Sequence, residues 1–264
     1  MRRQLGKYDP IDAYAAAEAV ASGRAGVIPK THAGAAEGLR VLHNARASAM
    51  KARTQAINQI RSLLVTAPDT LRGQLRGLAA ADLISVCARL RPTPDLADPT
   101  AATKFTLRRL ARRYQALGRE ISEYDAELTA LAAQAAPMLL AVNGVGPETA
   151  PRLLAAVGDN PERLHSEAAF AHLCGAAPLP ASSGRRDRHR LNRGGNRSAN
   201  AALSRIAVVR MQHDHRTREY VARRTTQGLQ KKDIIRCLKR CIAREVFRVL
   251  TCTNITKADL AQAA

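Results

Sequence analysis

Leu107-Arg-Arg-Leu-Ala-Arg-Arg-Tyr-Gln-Ala-Leu-Gly-Arg-Glu-Ile-Ser-Glu-Tyr-Asp-Ala-Glu-Leu-Thr-Ala-Leu131 decides the fold class. Its apolar side chains fall at Leu107, Leu110, Tyr114, Leu117, Ile121, Tyr124, Leu128 and Leu131, in unbroken steps of three and four. That spacing, held over more than three heptads, predicts the seam of a coiled coil. One long amphipathic helix lying on a globular core is the alternative. A second long helix is predicted over 35–66, with small side chains recurring at Leu42, Ala45, Ala49, Ala52, Ala56 and Leu63. An alanine seam allows two helices to approach closely, so an antiparallel pairing of the two within the chain is expected. A dimer through the same seam stays open.

The remainder also reads as helix. Asp9 is a good N-cap with Pro10 at the first helical position, which predicts a helix over 11–22 ending at Gly23. A linker over 23–31 follows. Short helices are expected at 71–78 and 83–90, then a stiff turn through Pro92, Pro94 and Pro99. From Met138 onward short helices alternate with glycine turns: 139–142, a turn over 143–147, 149–157, 166–174, 196–210, 215–227 and 231–250. Nothing predicts a large sheet. The fold class expected is mainly α: a long antiparallel coiled-coil hairpin, then a compact helical domain with a helix-hairpin-helix-like turn.

Forty-two lysines and arginines against twenty-two acids give a net charge of +20 over 264 residues. Such an excess repels itself in a compact fold and points to a polyanionic partner. With no Trp, three Phe and five Tyr, base-stacking platforms are disfavoured relative to phosphate contacts. Cys87, Cys174, Cys237, Cys241 and Cys252 form no CxxC framework and read as reduced thiols, so a cytoplasmic location is expected. The uncharged run 128–147 contains Gln134, Pro137 and Asn143, which argues against a membrane span.

The stretch most suggestive of chemistry is 177–197. Ser182-Ser183-Gly184 is followed by Arg185, Arg186, Arg188, Arg190, Arg193 and Arg197. Paired hydroxyls beside dense guanidinium charge suit a serine attacking a phosphodiester, because arginines bind phosphate bidentately and neutralise the transition state. A solvated or merely nucleic-acid-binding loop has the same residue types. His189 would serve as proton shuttle or phosphate contact. Gly144 and Gly146, in Asn143-Gly-Val-Gly-Pro147, would open a phosphate cradle of backbone N–H groups at a helix start, or simply make a tight turn. Arg236, Lys239, Arg240 and Arg244 mark a basic face that is either solvated or in contact with RNA.

Three stretches together carry a resemblance: Lys7-Tyr-Asp-Pro-Ile-Asp-Ala13, Val142-Asn-Gly-Val-Gly-Pro-Glu-Thr-Ala150, and Cys174-Gly-Ala-Ala-Pro178 through Ser182-Ser-Gly184 to Asn192-Arg-Gly-Gly-Asn-Arg197. The chain resembles the insertion-sequence transposases of the IS110/IS116 family over nearly its whole length. The resemblance implies a RuvC-like DEDD domain, a coiled coil and a C-terminal domain carrying a nucleophilic serine. It implies that Asp9 and Asp12 are the last two acids of a Mg2+ site, that Ser183 rather than Ser182 is the nucleophile, and that DNA is cut and rejoined at sites chosen by a structured guide RNA. DNA, that RNA and further copies in a homo-dimer or tetramer are the partners expected, and no membrane. Only eight residues precede Asp9, too few for two strands and a turn, so an N-terminally truncated, impaired copy is expected, with an incomplete metal site. The divisions expected are 1–30 (the remnant of the RuvC-like domain), 31–137 (coiled coil with a helical insertion), 138–252 (serine-carrying domain) and 253–264 (tail). A non-catalytic DNA- or RNA-binding helical protein is the alternative.

Overall fold

The computed structural model describes residues 9–26, 28–182 and 189–251. The fold is mainly α, and one two-stranded hairpin is its sheet among the described residues. Helix α1 (Asp9–Ala21) begins slightly earlier than expected, so Asp9 and Asp12 both sit in its first turn, and it buries no residue. Helix α2 (Ala35–Val65) has glycine at its N-cap, and a distant carboxylate takes over the capping. Asp159 accepts from the Gly34 N–H at 3.1 Å and the Ala36 N–H at 2.7 Å. Lys30 Nζ donates to the Ala155 carbonyl at 2.9 Å, and Asn160 donates to the Pro29 carbonyl at 3.1 Å, so the segment before α2 is fastened to the C-terminal half.

Helix α5 (Pro99–Ala135) starts where Asp98 accepts from the Thr100 and Ala101 N–H groups, with Pro99 at the first position. It runs antiparallel to α2. Gly38 lies against Leu131, Arg46 pairs with Asp125, and the Arg53 guanidinium stands 5.1 Å over the Tyr114 ring. In the expected seam Leu107, Ile121 and Leu128 are buried and the other five side chains are half-buried. Helices α3 (Asp69–Leu75) and α4 (Ala80–Arg89) fold over the far end of the pair. There Leu71, Leu75, Leu83, Ile84 and Cys87 enclose Ile60, Leu107 and Ala111 in one apolar core.

A larger core lies at the other end. Ala36, Leu39, Leu128 and Ala132 of the long pair pack with α6 (Pro137–Ala141), α7 (Thr149–Val157), α8 (Glu167–Leu173), α9 (Arg197–His213) and α11 (Lys231–Thr251). Phe170, Leu39, Leu128, Leu139, Leu153, Leu203, Ile206 and Ile234 are its largest fully buried side chains. Helix α10 (His215–Thr226) joins α9 to α11, capped by Asp214, which accepts from the Thr217 N–H at 2.7 Å. Hydrogen bonding from Thr217, more than any other influence, holds the Asp214 carboxyl below its ordinary value. Between α8 and α9 stands the hairpin β1 (Leu179–Pro180) and β2 (His189–Arg190), paired antiparallel with Leu179 opposite Arg190. Strands of two residues are too short to show a period-two pattern, so the sequence does not announce them.

Candidate nucleic-acid interface

The serine-bearing stretch leaves the core at the end of α8 and returns to it at the start of α9. Its two roots touch. Gly175, at φ +62°, turns the chain out of α8, and the Ala176 and Ala177 N–H groups both bond back to the Ala171 carbonyl. On return, a Cβ on Gly195 would lie 2.5 Å from the Gly175 Cα and closer still to its nitrogen. Backbone therefore packs directly on backbone, which only glycine permits. The Asn196 N–H donates to the Leu173 carbonyl at 2.6 Å, and its side chain caps α9 by accepting from the Ala199 N–H. Asn200 donates to both the Cys174 and Gly175 carbonyls, at 2.8 and 3.0 Å. Its own oxygen accepts from Lys239 Nζ at 2.7 Å. Lys239 is buried, and burial, with Arg236 nearby, pulls its ammonium below the ordinary value.

Beside this junction is a cleft of about 700 Å³, lined by Asn192, Arg193 and Arg197 together with Glu148, Arg152 and Arg205. Arg193 and Arg197 are exposed. Glu148 accepts from Arg152 at 2.8 Å and pairs with Arg205 at 3.6 Å. Arg152 is held from behind, because its Nε donates to His43 Nε2 at 2.9 Å. His43 is thereby an acceptor, and burial foremost, then the Arg152 charge, lowers its pKa. Four guanidinium groups around one carboxylate leave an excess of positive charge, the composition of a phosphate site.

Of the expected site residues, Ser183, Arg185, Arg186 and Arg188 lie outside the described residues, in the sequence between β1 and β2. Ser182 and Arg190 are exposed at the two ends of that stretch. Gly144 has φ +77°, and a Cβ there would lie 3.2 Å from Ile206 and 3.3 Å from Arg210, so the turn is pressed onto α9. Arg210 fixes it further by donating to the Asn143 carbonyl at 2.8 Å and to Glu245 at 2.8 Å. The Gly146 N–H donates to Thr149 Oγ1 at 2.9 Å, inside the turn. That group bonds within the protein, so the tight-turn alternative accounts for Gly146 better than a phosphate cradle does. The expected basic face on α11 is largely neutralised: Arg240 and Arg244 pair with Glu167, Arg236 pairs with Asp233, and Lys239 is buried.

Sequence reading missed Glu148, Arg152, Asn200 and Arg205. The i,i+4 spacing of Glu148 and Arg152 was a visible signal, but nothing linear links either to Arg205. Among the described residues no group of three or more His, Cys, Asp or Glu side chains could hold a metal ion. Asp9 and Asp12 alone offer fewer ligands than a hard divalent cation takes, so the described residues do not fit a Mg2+ site. Cys87 and Cys174 are buried, which pushes their thiols up to about 11 and about 12. Among the described residues no helix is long and apolar enough to cross a membrane.

Residues 136–222 match the model of the transposase IS116/IS110/IS902 family. The match covers α6 to α9 and the first part of α10, and with them the hairpin, the cleft and the glycine junction. No curated protein matches the chain.

Proposed function

We propose that this chain, which matches the transposase IS116/IS110/IS902 family over residues 136–222, acts as a member of it and uses the hairpin and its adjoining cleft to act on a DNA phosphodiester. Membership of that family carries DNA transposition and recombination in general. The observation that carries the finer reading is the clamped junction at Gly175 and Gly195. It holds both roots of the stretch containing Ser183 against a cleft lined by Arg193, Arg197, Arg152 and Arg205. Ser183 Oγ would attack phosphorus, forming an Oγ–P ester as the bond from phosphorus to one deoxyribose oxygen breaks. The hydroxyl proton leaves, and the departing deoxyribose oxygen gains one. His189, on β2, stands next in sequence to that stretch and would serve as the base for that transfer. The energy of the broken ester is kept in the new one, so no ATP is consumed.

Arg193 and Arg197, with Arg190 and the undescribed Arg185, Arg186 and Arg188, would grip the flanking phosphates. Glu148 would keep Arg152 and Arg205 in place until DNA phosphate draws them away. A structured guide RNA and assembly as a dimer or tetramer belong to this reading on the strength of the sequence resemblance. So does Mg2+, toward which this sequence supplies Asp9 and Asp12, by themselves too few ligands for a site; no step above depends on it.

Incubating the chain with the element's end DNA, guide RNA and Mg2+ should yield a covalent protein–DNA adduct that resists denaturant. Ser183→Ala should abolish the adduct while leaving DNA binding within about twofold. An undiminished adduct in that variant would overturn the assignment, and no adduct with the parent chain would leave a non-catalytic binding protein.

A further inference from the structure

The paired long helices lie wholly outside the family-matched segment, and they carry charge that the cleft does not use. Residues 38–68 and 99–119 together contain eleven lysines and arginines and no aspartate or glutamate. On α5 these are Lys104, Arg108, Arg109, Arg112, Arg113 and Arg119; Arg109, Arg112, Arg113 and Arg119 are exposed. Lys51 and Arg61 of α2 are exposed as well. Among the described residues none of these eight forms an ion pair, whereas Arg46, nearer the other end, is matched by Asp125. The four aspartates of the intervening segment give little relief: Asp69 pairs with Arg72, Asp95 accepts from the Ala97 N–H, and Asp98 caps α5, which leaves Asp82.

We propose that this face of the long helical pair, centred on Arg109, Arg112 and Arg113, binds the phosphate backbone of duplex DNA. A second copy of the chain does not suit it. No large apolar side chain is exposed on α5 between Arg108 and Glu120, so it lacks the apolar centre of a protein interface, and two such faces would repel. A single strand does not suit it either, because stacking needs open rings. Arg53 covers Tyr114, and Arg108 stands 5.8 Å over Phe105, the one large aromatic exposed on this helix. What remains is a band of cations spread over one side of α5, with Arg109, Arg112 and Arg113 within about 100° of one another around the helix. From Lys104 to Arg119 it spans about 22 Å at the rise of an α-helix, enough to follow a duplex backbone over more than half a turn. Such contacts position DNA without reading its sequence. The choice of DNA rests on the transposition reading of the C-terminal domain, and the readout is independent of the Ser183 chemistry.

The test uses the full chain and an arbitrary 30-base-pair duplex, with affinity measured across a salt series. Arg109→Gln/Arg112→Gln/Arg113→Gln should lower the slope of log K against log salt by about 0.9 for each phosphate no longer neutralised, or about 2.7 for three. Arg109→Lys/Arg112→Lys/Arg113→Lys should restore most of the slope, which separates charge from misfolding. An unchanged slope in the glutamine variant would overturn the proposal. So would loss of single-stranded RNA binding, or of self-association, with duplex binding unaltered. Failure of adduct formation with this slope change intact would sink only the Ser183 reading.

Discussion

A methyl group at position 195 would sit 2.5 Å from the Gly175 Cα, whereas at position 146 it would meet nothing within 4 Å. Gly195→Ala should therefore cost roughly 1–3 kcal/mol through overpacking, and Gly146→Ala should be close to neutral, as measured by urea denaturation. Equal effects would contradict the backbone contact. Lys239 makes a pH-dependent prediction. Its folded value lies below the ordinary 10.5, so between the two the unfolded chain binds more protons and stability rises with pH. The cost of burying the ammonium is complete below the folded value and gone above the unfolded one. Lys239→Met should flatten that rise, which denaturant midpoints taken up to about pH 10.5 would show. At this scale the sequence was only partly legible. Cys174-Gly175 and Gly194-Gly195-Asn196 stood out as motifs, but no linear signal says that the glycines meet. Lys239 looked like surface charge because helical spacing placed it beside Arg236 and Arg240.

Helices were the most readable elements, since apolar spacing directly records which face is buried. Thr149–Val157 was read to the residue, and α2 and α5 emerged from their seams. The cap of α2 was hidden, because Asp159 reaches it from more than a hundred residues away. Asp159→Ala should cost about 0.5–2 kcal/mol, as loss of an N-cap does, and should speed amide exchange in the first turn of α2. Along the same pair, Leu128→Ala should cost about 2–5 kcal/mol because Leu128 is buried in the larger core. Asp125→Ala should cost under about 1 kcal/mol, because the Arg46–Asp125 pair is half open to solvent on the aspartate side. The reverse order would mean that charge rather than apolar packing joins α2 to α5.

The whole molecule joins an apolar helical frame to a net charge of +20, and it divides that charge unevenly. The α11 face is balanced by Glu167 and Asp233, while the cleft and the outer face of α5 are not. Composition gave the total, but only the fold tells which cations have partners. The central claim is that the serine stretch rooted at Gly175 and Gly195 delivers its hydroxyl to DNA phosphorus. Mass spectrometry of a nuclease-trimmed, protease-digested adduct tests it most directly. The account predicts a nucleotide phosphate on Ser183 within a peptide from this stretch, with yield falling at least tenfold in Arg193→Gln/Arg197→Gln, the loss expected where charged interactions of about 1.4 kcal/mol or more are removed. A nucleotide on any other residue, or on none, would contradict it.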